Sequence, residues 1–141
     1  MTNRPIGEIV RHQKPHTLPA SATVQQACSR MHEASIGAIL VCEEERGLIG
    51  IFTGRDAVRV LAEATNPSTI ILAEVMTRNP DTMRPGQTAI EALRRMRDGG
   101  FRHIPVVDEN GVLHGVVSRG DFRGLEHDRL DEETGIWERI G

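Results

Sequence analysis

Two hydroxyl–carboxylate pairs stand at one spacing: Thr53 with Asp56, and Ser118 with Asp121. Each follows a glycine and two apolar residues, GIF at 50–52 and GVV at 115–117. A strand that runs into a hydroxyl, with an acid three residues on, reads as a helix start. For either copy alone, an ordinary stabilising cap explains the pattern. The same geometry also suits a ligand. A helix N-terminus offers unpaired N–H groups and a positive dipole end to a phosphate. The hydroxyl adds a donor, and a carboxylate one turn away can accept two hydrogen bonds from a ribose cis-diol. Arg55 and Arg119, lying between the two positions, supply compensating charge. Hydroxyl plus Asp therefore describes a ribose phosphate rather than a bare anion.

The pairs belong to a repeat. Displaced by 65 residues, the first half of the repeat overlays the second with fourteen identities in order. Val10 meets Val75, Pro15 meets Pro80, Thr17 meets Thr82, Ile39 meets Ile104, Gly50 meets Gly115 and Asp56 meets Asp121. Each half predicts the same elements. A short helix at 6–10 or 72–76 leads into a Pro-marked extended piece, KPHTL or NPDTM. An amphipathic helix follows at about 22–34, and again at about 88–98, with Ser21 and Thr88 as N-caps. Two apolar strands come next, AILVC and LIGIF in one half, IPVV and LHGVV in the other. The acidic turns EEERG and DENG join them. A last helix opens near Asp56 and Asp121. The connector EATNPSTI reads as a turn. The organisation expected is a first unit at 1–65, a second at 70–125, and an acidic helical tail at 126–141. That tail ends in IWERI and suits either a subunit interface or a solvated helix.

Composition narrows the function. The 141 residues carry 38% apolar side chains and a formal net charge of −3, enough for a packed core and without a general pull toward nucleic acid or anionic membrane. No apolar run reaches the length of a membrane span, and no secretory h-region opens the chain, so a soluble cytoplasmic protein is expected. Tyr is absent, which argues against base-stacking platforms. Lys14 is the single lysine, and neither phosphate-loop nor dinucleotide-loop glycine motifs occur. Cys28 and Cys42 read as buried apolar fillers, and the six scattered histidines show no metal spacing. No nucleophile context is present, so no enzyme, no catalytic residue and no metal site are expected.

Two units of this order, each with G-h-h-[TS]-x-x-D after its third strand and with RHIPVVD in the second, resemble a tandem pair of CBS domains, a Bateman module. The resemblance spans residues 6–125. It implies an α/β (α+β) fold of two β-α-β-β-α units packed with pseudo-two-fold symmetry, small sheets flanked by helices. It also implies adenosyl ligands in clefts between the units: AMP, ADP or ATP, with NAD(H) or S-adenosylmethionine as alternatives. By this likeness Thr53 and Ser118 meet phosphate, and Asp56 and Asp121 hold ribose. His16 and Thr17, with Asp81 and Thr82, line the adenine pocket through backbone. Ala38 and Ile39, with His103 and Ile104, form its other wall. The copies differ where Gly37 and Ala38 correspond to Arg102 and His103, so the two sites should differ in affinity.

The expected function is a regulatory sensor that forms a homodimer and acts on a partner protein in trans. A ligand-free interaction or dimerisation module is the first alternative. Nucleic-acid binding through Arg94, Arg95, Arg97 and Arg102 is the second, against a solvated helix face.

Overall fold

The structure, a computed structural model, describes residues 3–122. The expected tail at 126–141 lies outside the described residues. The chain divides into two compact units, residues 15–80 in one and residues 3–14 with 81–122 in the other.

The unit at 15–80 is built on a four-stranded sheet of order β1-β2-β3-β4. Strand β1 (Thr17–Leu18) runs parallel to β2 (Ala38–Glu43), and β2 forms an antiparallel hairpin with β3 (Gly47–Thr53). Strand β4 (Thr77–Arg78) closes the far edge, antiparallel to β3. Helix α2 (Val24–Ala34) turns Val24, Ala27 and Met31 inward at helical spacing onto Ile39, Val41 and Phe52. Its N-cap is Thr23 rather than the expected Ser21. The signature is T-x-x-Q: the Gln26 N–H donates to Thr23 Oγ1 at 3.1 Å, and the Thr23 N–H donates to Gln26 Oε1 at 2.7 Å. Helix α3 (Gly54–Ala62) follows β3 directly and buries Val60. Helix α4 (Leu72–Val75) docks through the Leu72 N–H to Ala22 O at 2.8 Å and the Ala73 N–H to Ala20 O at 3.0 Å.

The other unit repeats the plan with two differences. Helix α1 (Ile6–Ile9), first in the chain, packs here. Ile6 and Val10 enter a core with Leu93, Met96, Ile104 and Val117. The Ile6 N–H donates to Gln87 O at 2.8 Å, and the Ala89 N–H to Arg4 O at 2.8 Å. The leading helix of each sequence repeat thus completes the core that the other repeat builds, so repeat boundaries and spatial boundaries are offset by one helix. Helix α5 (Ala89–Gly99) starts at its expected cap Thr88, and a hairpin of β5 (His103–Val107) and β6 (Leu113–Ser118) follows.

The second difference is a proline. In the first unit the Leu40 N–H donates to His16 O at 3.1 Å, which helps hold β1 on β2. The residue at that repeat position is Pro105, which has no N–H. The segment equivalent to β1 shrinks to a single parallel bridge, Met83 with Val106.

Candidate functional site

Antiparallel register brings the start of β2 beside the end of β3. Ala38 faces Thr53, and the Gly54 N–H donates to Gly37 O at 3.1 Å. The second unit reproduces this atom for atom: His103 faces Ser118, and the Arg119 N–H donates to Arg102 O at 3.0 Å. Both hydroxyls therefore stand at the mouth of a strand-to-helix turn, where backbone N–H groups lack helical partners.

The carboxylates fold back onto those hydroxyls. Asp56 Oδ2 accepts from the Thr53 N–H at 2.9 Å and from Thr53 Oγ1 at 3.2 Å. Asp121 Oδ2 accepts from the Ser118 N–H at 2.7 Å and from Ser118 Oγ at 3.1 Å. The capping pattern is present in both copies. Among the described residues, the second box is followed by one 3-10 turn, Arg119–Asp121.

The copies differ in setting. Asp56 is buried, at 5% exposure, and its Oδ1 pairs with Arg59 NH1 at 3.3 Å. Asp121 is exposed. Beside it stands half-buried His103, whose pKa is lowered from the usual imidazole value by burial and then by the Arg102 charge, with the Asp121 carboxylate opposing. The residue at the same place in the first copy is Ala38. Arg59 escaped the sequence reading, although an arginine three residues after a helix-start acid is a visible signal.

The other expected residues fall into three groups. Ile39 and Ile104 are fully buried in the two cores, so their side chains serve packing. Thr17, Asp81 and Thr82 are exposed, and the carbonyls of His16 and Thr82 accept hydrogen bonds from Leu40 N and Arg95 NH1. Arg55 and Arg102 are exposed at the two turns, with Arg119 partly so. A surface hollow of about 690 Å3 lies elsewhere, between Glu43–Arg46, Met76 and Arg78, and none of the expected site residues lines it.

Cys28 and Cys42 are free thiols, each partly buried; burial pushes both pKa values up, with the Glu43 charge adding to the effect at Cys42. Among the described residues no cluster of metal-ligating side chains occurs, and no helix is long and apolar enough to cross a membrane.

The CBS domain family profile matches residues 6–63 and 72–128. The chain belongs to the CBS domain family. Its two CBS matches cover both hydroxyl–carboxylate pairs. CBS domain-containing protein CBSCBSPB3 of Arabidopsis thaliana is 40% identical over 105 residues, 74% of this chain and 19% of the plant protein. Uncharacterized protein MK0525 of Methanopyrus kandleri is 33% identical over 122 residues, 86% of this chain and 62% of its own. The chain thus spans about one fifth of the plant relatives it matches.

Among solved CBS structures, CBS domain protein PAE2072 from Pyrobaculum aerophilum, complexed with AMP, superposes with TM-score 0.81 at 22% identity. The fit covers 92% of this chain and 98% of that one. A putative signal-transduction protein with CBS domains from Burkholderia ambifaria gives TM-score 0.76 at 30% identity, covering 82% and 88%. The fold is that of CBS pair proteins, mixed α/β with small sheets flanked by helices.

Proposed function

We propose that this CBS protein is a regulatory module that binds an adenosyl nucleotide of the AMP, ADP or ATP class. The observation that carries the reading is the duplication of one box at one register: hydroxyl, carboxylate and helix-start N–H groups, set against Ala38 in one unit and His103 in the other. Capping alone asks for neither the repeat nor the matched glycine and strand before it. In this reading Thr53 and Ser118 donate to phosphate, and Asp56 and Asp121 accept from ribose hydroxyls. Arg55 and Arg119 balance charge, while His16, Thr17, Asp81, Thr82, Ala38 and Arg102 border the base. The AMP complex of the Pyrobaculum aerophilum protein supports the ligand class, since the same fold accepts it there.

Mechanism is linkage. A ligand shifts a conformational equilibrium only by its differential affinity for the two states. At a hundred times its Kd it stabilises the bound state by about 2.7 kcal/mol. The module would work as a homodimer and signal to a partner protein, without catalysis of its own. A second adenosyl class, S-adenosylmethionine, has a specific observation behind it: a CBS domain pair of protein MJ0100 was solved with it and 5'-methylthioadenosine.

Thermal shift with AMP, ATP, NADH and S-adenosylmethionine tests the reading. A rise in Tm with AMP or ATP, lost in the Asp56→Asn/Asp121→Asn double variant, is the expected result. No rise with any of the four overturns it and leaves a ligand-free interaction module.

A further inference from the structure

The two boxes use Oδ2 of their carboxylates in the same way, and they part at Oδ1. In the first unit Arg59 NH1 lies 3.3 Å from Asp56 Oδ1, while Arg59 NH2 donates to Val75 O at 2.7 Å. The guanidinium is thus held at both ends, on α3 by the acid and on α4 by a backbone carbonyl. Asp56 is 5% exposed, and Arg59 pairs with the carboxylate oxygen that the Thr53 N–H does not use. The repeat counterpart of Arg59 is Gly124, which has no side chain to do the same for Asp121. Asp121 is exposed, and among the described residues it makes no ion pair.

A ribose cis-diol presents two O–H donors, and a two-point grip on a carboxylate uses both oxygens. At Asp121, Oδ1 is open to that grip as it stands, and Oδ2 joins it once the Ser118 hydroxyl turns from the acid to the phosphate. Asp56 offers that grip only after Arg59 moves. We propose that Arg59 is a positioning residue that gates Asp56, so that an adenosyl ligand fills the Ser118–Asp121 copy first and the Thr53–Asp56 copy only on release of Arg59. The inference rests on the reading of both carboxylates as ribose acceptors. It makes the chain a two-threshold sensor, with one site set for low ligand concentration and one for high.

Isothermal titration of the full chain with AMP tests it. The wild type should bind in two phases. Arg59→Gln should tighten the weaker phase about tenfold, the scale of one hydrogen bond to a charged group. The tighter phase should not move. Arg59→Lys, which keeps a cation in reach of Asp56, should leave the weaker phase close to wild type. Asp121→Asn should remove the tighter phase. If Arg59→Gln lowers the melting temperature below the titration range, Arg59→Met keeps the aliphatic stem and reads the same way. Weakening of the weaker phase in Arg59→Gln overturns the gate, because Arg59 then contacts the ligand. A single phase of two equal sites in the wild type also overturns it. Binding to neither site in folded wild type and variants rejects the underlying ligand reading, and the gate with it.

Discussion

The side-chain amide of Gln13 pairs with the backbone of Val116 as a neighbouring strand would. Gln13 Nε2 donates to Val116 O at 3.0 Å, and the Val116 N–H donates to Gln13 Oε1 at 2.9 Å. In the other unit the equivalent residue, Ile51, is paired by a true strand residue, Thr77. One side chain thus blunts the β6 edge at the place where β4 covers β3. Gln13→Ala should destabilise the protein by about 1–3 kcal/mol, because it strands two partly buried backbone groups. Urea unfolding at neutral pH checks this, and Gln13→Glu, which keeps an acceptor but loses the donor, should not restore it.

Gly115 makes that pairing possible. A Cβ at Gly115 would stand 2.6 Å from Gln13 Oε1 and 2.8 Å from Val10 Cβ. At Gly50 it would meet Met76 Sδ at 2.5 Å and Thr77 O at 3.0 Å. Gly115→Ala should cost about 1–3 kcal/mol by overpacking. Amide exchange should report the Val116 N–H opened in that variant.

The two carboxylates should separate in unfolding experiments without any ligand. Asp56→Ala removes a buried acceptor of two Thr53 donors and the partner of Arg59, a loss of about 2 kcal/mol. Asp121→Ala acts at an exposed cap and should cost about 0.5–1 kcal/mol. Equal losses in thermal melts would contradict the difference in setting.

His103 gives the protein an acid limb. Its pKa is lowered in the folded state, by burial first and Arg102 second. The unfolded chain therefore takes up this proton more readily, and the sign follows from linkage. The stability is fully present above the ordinary imidazole value of 6.5; it falls as pH drops below that value and levels off once pH passes the lowered folded-state value. The pH dependence of Tm should flatten over this window in His103→Gln.

Much of this fold was readable from period and punctuation. The two hairpins, both amphipathic helices, both leading helices and the α3 start at Thr53 follow from alternation, helical spacing and cap residues. Three features were hidden because they depend on what the chain meets in space. Thr23 rather than Ser21 caps α2, since the cap that wins is the one with Gln26 three residues on. The exchange of leading helices is invisible to a repeat, which registers similarity but not which core Ile6 or Leu72 enters. Pro105 reads in sequence as part of an apolar strand, yet its missing N–H is what reduces the Met83 segment to one bridge. At the site, the duplicated box was plain in the sequence. Its asymmetry was legible only at Ala38 and His103, while the Arg59 contact with Asp56 needed the helix built.

The most direct measurement is a crystal structure of the protein grown with AMP. The account predicts ribose hydroxyls within about 3 Å of the Asp121 carboxylate, and of Asp56 where both sites fill, with phosphate at the Ser118 or Thr53 turn. AMP bound away from both turns, or no bound AMP at saturating concentration, would contradict it.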